Sequence, residues 1–338
     1  MPGISQAQPD IPSRVVSLET GVAMVVTDLH GDWDAYSRYR DRFLDLEVHG
    51  QADTLIFTGD LIHSDGPVED DRSLDIVLDV LALRASLGDR IIYLLGNHEL
   101  PHLYGITLQR GAHLYTPAFE AAMGERRADI ISFFDGLPFY VRTRAGVSLC
   151  HAGAFAGAGE GDVMARLLDC SHRRIWEEVS TLLSVDQRAS LRAGLAKLGD
   201  ESYDDMVRRY LAVSGPDDPR YDDLLIGSVV SSAHPDFDLL WAALFSPNER
   251  ECGEDEYALR LDMMLQELSR GFYQQRVLVA GHMACSGGYA LVAGGRQLRL
   301  ASGSHAYPFE AGRYLLFDVE KPVRRADELL DGLGSVLA

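Results

Sequence analysis

Basic residues are few in this sequence, and their shortage limits the partners that the protein can have. The 338 residues include 31 Lys and Arg against 51 Asp and Glu, which gives a formal net charge of −20 at pH 7. Because nucleic-acid binding needs a basic surface that meets the phosphates, we predict no nucleic-acid partner. This charge also does not attract an anionic substrate from a distance, and we expect most of the acidic residues on a solvated surface.

Paired cysteines, long apolar runs and a leader pattern are absent as well. The four cysteines lie far apart and form no Cys-x-x-Cys motif, at Cys150, Cys170, Cys252 and Cys285. No run approaches the roughly 18 apolar residues of a membrane span, and residues 1–10 have neither the basic nor the apolar region of a signal peptide. We therefore predict a cytoplasmic protein with free thiols and no membrane partner. The oligomeric state is left open.

Five short apolar stretches stand out, because each one runs directly into a potential metal ligand. They are residues 22–27, 54–58, 91–95, 147–150 and 277–280. Short apolar runs rich in β-branched residues and bounded by Gly or polar residues indicate buried strands. Since α/β sheets bind ligands beyond the carboxyl ends of their strands, the pattern predicts a metal site at one such edge. The candidate ligands are Asp28, His30, Asp60, Asn97, His151 and His282.

The motifs that contain these residues resemble those of the calcineurin-like metallophosphoesterases, and in particular their phosphoprotein phosphatase (PPP) branch. Residues 27–31 (TDLHG) match the first motif, with Thr in place of a leading Gly. Residues 96–99 (GNHE) keep the third motif intact, and residues 151–153 (HAG) match the fourth with one Ala for Gly.

Two further segments support the PPP branch. Residues 238–241 (DLLW) are similar to its Leu-Leu-Trp segment, and Tyr289 follows His282 at the spacing of that branch between the last metal ligand and an active-site Tyr. The resemblance covers roughly residues 22–153 and 237–320.

The resemblance implies an α/β fold, the αββα sandwich of two mixed β-sheets flanked by helices. We expect a single domain over residues 1–338, with its core at about 15–153 and 237–322. Residues of about 155–236 begin with a Gly/Ala-rich stretch and continue with apolar residues at helical spacing. We predict that this segment is a helical insertion that caps the site, since caps exclude water and select substrates.

The resemblance also assigns a role to each candidate ligand. Asp60 would bridge two divalent metal ions. Its partners would be Asp28 and His30 at the first ion, and Asn97, His151 and His282 at the second. Two such ions clamp an in-line displacement at phosphorus and lower the pKa of a bridging water. Mixed oxygen and nitrogen ligands suit Mn, Fe, Zn, Ni or Co about equally, so the metal is left open.

Two catalytic residues and five substrate contacts complete the predicted site. Asp60 is catalytic as the bridge, and His98 is the expected general acid that protonates the leaving oxygen. The candidates for substrate contact are Asn97, Tyr289, His63, Glu99 and His305. His305 lies in the loop 301–305, which replaces a different loop of the PPP branch.

The second motif departs from the PPP pattern. Residues 59–66 read GDLIHSDG, so His63 and Ser64 stand where the branch has an Asp that orients the catalytic His and an Arg that binds phosphate. A carboxylate stabilises a neighbouring imidazolium, whereas a charged second His cannot. Asp65 is an alternative source of the carboxylate.

We therefore predict a metal-dependent phosphoric monoester hydrolase that uses a metal-bridging hydroxide as nucleophile and His98 as acid. The altered second motif, the missing Arg and the cap favour a phosphorylated small molecule over a phosphoprotein. The alternatives are a protein Ser/Thr phosphatase, a dinucleoside polyphosphate hydrolase that splits a P–O–P bond, and a non-catalytic binding module. The complete set of six ligands argues against the module.

Overall fold

Short strands make up the framework of the chain, which we describe from a computed structural model at residues 13–246 and 248–337. Residues 1–10, interpreted above as lacking a signal peptide, lie outside the described residues. The strands are β1 (Val15–Leu18), β2 (Val22–Val26), β3 (Thr54–Phe57), β4 (Ile91–Tyr93), β5 (Gln109–Arg110), β6 (His113–Leu114), β7 (Tyr140–Thr143), β8 (Val147–Cys150), β9 (Val277–Ala280), β10 (Cys285–Ser286), β11 (Tyr289–Val292), β12 (Gln297–Leu300), β13 (Ala306–Tyr307), β14 (Tyr314–Asp318) and β15 (Leu333–Gly334).

Helices separate most of these strands along the chain. They are α1 (Trp33–Val48), α2 (Ser73–Leu87), α3 (Leu100–Tyr104), α4 (Thr116–Met123), α5 (Arg127–Asp135), α6 (Val163–Leu168), α7 (His172–Leu182), α8 (Val185–Gly199), α9 (Tyr203–Leu211), α10 (Asp223–Ala233), α11 (Pro235–Leu244), α12 (Glu249–Cys252) and α13 (Glu254–Leu268). None of the helices in the described ranges combines the length and the apolar character that crossing a membrane requires.

The strands form two main mixed sheets. The first has the order β15-β14-β2-β3-β4, in which β2, β3 and β4 are parallel and β14 runs antiparallel to β2. The second has the order β1-β7-β8-β9-β12-β11, with parallel pairs from β8 through β9 to β12. All five strands predicted from the apolar stretches are present. They are divided between the two sheets, as β2, β3 and β4 in the first and β8 and β9 in the second.

Alternate residues of these strands enter two different cores, because successive side chains of a strand point to opposite faces. In β2, Val25 belongs to a buried cluster that also contains Leu149 and Val279 of the second sheet. Its neighbours Met24 and Val26 lie in the larger cluster, which also contains helix residues. Both faces of the strand are thus covered, which explains why these runs are continuously apolar.

Helices cover the outer face of each sheet. Helix α1 begins at its N-cap Asp32, whose carboxylate accepts a hydrogen bond from Ala35 N at 2.9 Å, and it buries Tyr39 and Phe43 in the larger cluster. On the second sheet, the hydroxyl of Tyr257 in α13 donates to Gln297 Oε1 of β12 at 2.6 Å. The predicted αββα sandwich is therefore confirmed.

The segment 155–236 is helical as predicted, with α6 to α10. It packs on the helical layer beside the first sheet. Helix α9 contacts α4, and α10 contacts α3, while the Tyr104 hydroxyl of α3 lies 2.8 Å from His172 Nδ1 of α7. The division of the chain into one domain with a core and a cap stays a prediction.

Candidate metal centre

The six predicted ligands meet where strands of both sheets end. Asp28 and His30 follow β2, Asp60 follows β3 and Asn97 follows β4, whereas His151 and His282 follow β8 and β9 of the other sheet. Carboxyl ends of parallel strands gather side chains at one edge. Here the strand ends of two sheets contribute ligands. The sequence predicted a site at the edge of one sheet, whereas the structure places it between two.

Four potential ligand atoms lie close together, and His151 Nε2 is at their centre. Its Nε2 lies 2.9 Å from Asn97 Oδ1, 3.0 Å from His282 Nδ1 and 3.3 Å from Asp60 Oδ2. Its other ring nitrogen, Nδ1, lies 2.9 Å from the carbonyl oxygen of Thr58. A carbonyl only accepts, so Nδ1 carries the proton and Nε2 of the neutral ring presents a lone pair. Several lone pairs converging in this way need a cation between them.

A second group lies next to the first. Asp28, His30 and His305 each offer an atom within 4.8 Å of the others. Both ring nitrogens of His30 are buried without a hydrogen-bond partner in the described part of the chain. His305 Nδ1 lies 3.4 Å from Asp28 Oδ1 without forming a hydrogen bond. An imidazole buried with two unused nitrogens has the environment of a metal ligand rather than of a core residue.

These donors fit divalent cations. Asp28 and Asp60 are 0% and 1% exposed, and buried carboxylates are stable only when paired or bound to metal. Burial by itself raises the pKa of Asp60, but the imidazoles of His151 and His98 hold it well below its ordinary value. Burial lowers the pKa of His151, but the Asp60 carboxylate more than offsets this and raises it to about 9. His151 Nε2 therefore binds a proton when no metal ion is present, and the ring is neutral with a free lone pair only when a metal ion takes the place of that proton. Together with the imidazoles, the ionised carboxylates form a set that suits transition metals.

The backbone is strained at several of these positions. His30, Asp60, His63 and His282 have φ values of 47°, 52°, 70° and 66°. Left-handed backbone costs a non-glycine residue about 1–3 kcal/mol and is typical of functional sites. Hydrogen bonds between the loops hold it in place, since Leu29 N and His30 N donate to Asp60 O at 2.9 and 3.0 Å.

Glu99, predicted to contact substrate, lies behind the cluster and is fully buried. Its carboxylate accepts hydrogen bonds from Asp60 N and Gly96 N at 3.0 Å each, and from the Tyr93 hydroxyl at 2.6 Å. Burial and then Asp60 raise its pKa to about 7. A side chain on Gly96 would overlap the carboxylates of Asp60 and Glu99, so only glycine permits this approach. Glu99 thus joins the loop after β3 to the loop after β4.

His98, the predicted acid, borders the cluster. Its Nε2 lies 3.9 Å from Asp60 Oδ2, and its backbone N donates to Asp60 Oδ1 at 2.9 Å. Burial lowers the pKa of His98 to about 3, although the Asp60 carboxylate acts in the opposite direction. Its Nδ1 faces His63 Nδ1 at 3.1 Å. His63 is therefore a neighbour of His98 inside the protein and is 1% exposed.

A cavity of about 550 Å³ opens over the cluster. Of the predicted residues, those lining it are His30, Asp60, Asn97, His98, His282 and His305. Asp65 also lines it and accepts a hydrogen bond from the Tyr115 hydroxyl. Within the described ranges, Tyr289 is not among the lining residues, and neither is any residue of 155–236. The helical segment thus does not line this cavity in the described residues, and its capping role stays a prediction.

Two arginines in the cavity were missed by the sequence interpretation. Arg110 lies in β5 and Arg250 in α12, and both line the cavity. Neither forms an ion pair with a carboxylate among the described residues. No motif surrounds them, and the one available signal was Arg250's position shortly after residues 238–241. They are candidates for the phosphate-binding role left open by Ser64.

Comparison with known proteins gives the family. The model of the calcineurin-like phosphoesterase family matches residues 22–215. Among solved structures, a protein serine/threonine phosphatase from Saccharomyces cerevisiae is similar with a TM-score of 0.46 and 14% identity, over 90% of this chain and 76% of that one. A cold-active protein-tyrosine phosphatase of a psychrophilic Shewanella species gives 0.46 and 15%, over 92% and 78%. No curated protein sequence matches. Since the family match covers more than half of the chain, the protein belongs to the calcineurin-like phosphoesterase family.

Proposed function

We propose that the protein is a phosphomonoesterase that works with two divalent metal ions. The observation that carries this is the convergence of potential ligand atoms at Asp60, which belongs both to a group with Asp28, His151 and His282 and to a group with His30 and His98. A carboxylate shared by two groups is suited to bridge two ions. When bound, such ions polarise the phosphoryl group and lower the pKa of the attacking water.

The side chains of this protein bind and orient the ester. Asn97, His151 and His282 would hold one ion beside Asp60, and Asp28 and His30 would hold the other. His98 gives a proton from Nε2 to the leaving oxygen once its ring is protonated. Burial opposes that protonation, and the charges of the Asp60 carboxylate and the dianionic substrate favour it. Arg110 and Arg250 bind the non-bridging phosphate oxygens through charge-assisted hydrogen bonds.

The size of the cavity favours a phosphorylated small molecule. Its volume of about 550 Å³ lies within the usual range of small-molecule sites, roughly 300–1,000 Å³. A cytoplasmic location and the absence of a nucleic-acid partner stay predictions from the sequence.

Metal analysis and a substrate panel test the proposal together. The purified protein should contain two equivalents of divalent metal by elemental analysis, and a chelator should remove both the metal and the activity. The panel should contain sugar phosphates, aryl phosphates, a phosphopeptide and a dinucleoside polyphosphate. We expect turnover of monoesters of small molecules. Full turnover without bound metal, or a preference for the polyphosphate, would contradict the proposal.

Removing either cavity arginine should weaken phosphate binding. Arg250→Ala and Arg110→Ala should each raise KM and the inhibition constant of inorganic phosphate about tenfold, because a charge-assisted hydrogen bond contributes about 1.5–3 kcal/mol and tenfold is about 1.4 kcal/mol. Arg296→Ala is the matched control, since Arg296 pairs with exposed Asp262 at 2.6 Å and does not line the cavity. Unchanged inhibition by phosphate in both cavity variants would exclude this role.

A further inference from the structure

Behind His98, a row of buried side-chain contacts runs through His63 and His102 to Glu120. His98 Nδ1 lies 3.1 Å from His63 Nδ1, and His63 Nε2 lies 2.8 Å from His102 Nε2. His102 Nδ1 then lies 2.7 Å from Glu120 Oε1. The side chains of His102 and Glu120 are 0% and 1% exposed. An unbroken chain of buried contacts thus joins the edge of the cavity to α4.

The carboxylate at the end of this chain fixes the direction of every hydrogen bond. Glu120 only accepts when ionised, so His102 carries its proton on Nδ1. His102 Nε2 then accepts, and His63 must donate from Nε2 and accept at Nδ1. His98 therefore donates from Nδ1 and presents the lone pair of Nε2 towards the cavity. Burial lowers the pKa of His63 well below its ordinary value, in agreement with a neutral ring at this position.

Glu120 is held in the ionised form by its other neighbours. Arg127 Nε donates to Glu120 Oε2 at 2.8 Å, and Arg220 Nη1 lies 3.7 Å from the same oxygen. Burial alone would raise the pKa of Glu120, but His102 and Arg127 lower it below its ordinary value. The charge at the end of the chain is thus a stable feature of the fold.

Aromatic side chains fix the ring planes. Phe119 packs edge-on against His63 and His102, with centroid distances of 5.9 and 5.0 Å. Tyr115 stacks on His63 at 5.8 Å. These contacts keep the rings in the plane that the hydrogen bonds need.

We propose that His63, His102 and Glu120 are positioning residues that supply His98, through three hydrogen bonds, with the carboxylate support that the second motif lacks. The inference rests on the acid role proposed for His98. The chain holds His98 in one tautomer, with Nε2 free to carry the transferred proton. When that proton is bound, the positive charge polarises the hydrogen bonds towards Glu120, as cooperative networks allow. The carboxylate of Glu120 in α4 thereby takes the role of an Asp at position 63.

The first test removes the charge and keeps the shape. Glu120→Gln should lower kcat for an alkyl phosphate about 10- to 100-fold, the usual effect of losing an outer hydrogen-bond partner. The loss should be much smaller for p-nitrophenyl phosphate, whose leaving group needs little protonation, and metal content and KM should stay unchanged. Asp222→Asn is the matched control. Asp222 also pairs with two arginines, Arg188 and Arg192, at 2.8 and 2.7 Å, but it is not part of the hydrogen-bond chain that leads to His98. Equal losses for both esters would overturn the proposal.

The second test places a carboxylate directly beside His98, so that the hydrogen-bond chain to Glu120 is no longer needed. In His63→Asp, Oδ1 is bonded to Cγ as Nδ1 is in His, so it can take the place 3.1 Å from His98 Nδ1. Adding Glu120→Gln to this variant should then have no further effect on the ratio of alkyl to aryl turnover. If Glu120→Gln shifts that ratio equally in both backgrounds, Glu120 acts without His63 and the proposal is wrong.

The third test needs no variant that could fail to fold. Long-range proton–nitrogen NMR of the zinc-loaded wild-type protein, with labelled histidines, reports the tautomer of each ring. We expect protons on Nδ1 of His102, Nε2 of His63 and Nδ1 of His98. A proton on Nε2 of His102 would overturn the chain. This readout does not depend on turnover, so a protein that shows these tautomers and hydrolyses no phosphoester would refute the proposed function alone.

Discussion

Replacing Asp60 with Asn should remove nearly all phosphoesterase activity and lower the metal content. Asn keeps the size of the side chain and an oxygen that can accept from His98 N at 2.9 Å, but it lacks the charge that two cations share. Metal ions supply several kcal/mol of transition-state stabilisation, and each tenfold in rate is about 1.4 kcal/mol. We therefore expect a loss on the order of 10³-fold or more, measured as kcat beside elemental analysis of the same sample.

A control separates this loss from a general effect of removing a hydrogen-bonded carboxylate. Asp79→Asn removes a carboxylate that accepts from the Tyr36 hydroxyl at 2.7 Å, away from the cavity, and should leave kcat and metal content unchanged. If Asp60→Asn retained near-normal turnover together with two bound ions, Asp60 would not be the bridge.

Replacing His98 with Ala should lower turnover of alkyl phosphates by about 10²–10⁴-fold, the usual range for losing a general acid. The loss should shrink for p-nitrophenyl phosphate, because nitrophenolate leaves without a proton. Steady-state kinetics with the two esters on one enzyme sample give this comparison directly.

Metal analysis of His98→Ala decides between the acid role and ligation. His98 offers an atom within 4.8 Å of those of His30 and Asp60, so the geometry alone would also allow it to hold an ion. As an acid it should leave both equivalents in place. Loss of one equivalent, with equal losses for both esters, would instead assign His98 to the metal.

The framework and the ligand positions could be predicted from the sequence because they depend on local patterns. Strands such as Val22–Val26 are short and buried on both faces, so they are apolar throughout and end at a polar residue. Asp28, Asp60 and Asn97 follow such ends directly. The apolar patterns did not show which of the two sheets each strand joins, because a buried strand has the same pattern in either one.

The parts that the sequence did not reveal are contacts between distant segments. Position 63 could be recognised as altered, but nothing near it indicated that His102 and Glu120 continue its hydrogen bonds. Arg110 lies in a two-residue strand without any motif. Helical periodicity in residues 155–236 predicted amphipathic helices, but the apolar face of a helix does not reveal which part of the protein it packs against. The segment proved to pack on α3 and α4 and not to line the cavity in the described residues.

The order of the ligands along the chain has a consequence for folding and synthesis. Asp28 and Asp60 belong to the first sheet and are made early, whereas His282 follows β9 of the second sheet and is made late. A growing chain therefore lacks a complete set of ligands until the residue that follows β9 by two positions has been joined. An ion that binds the finished site and not the incomplete one stabilises the assembled sandwich by mass action. Metal binding would then stabilise the contact between the two sheets at a late stage of folding.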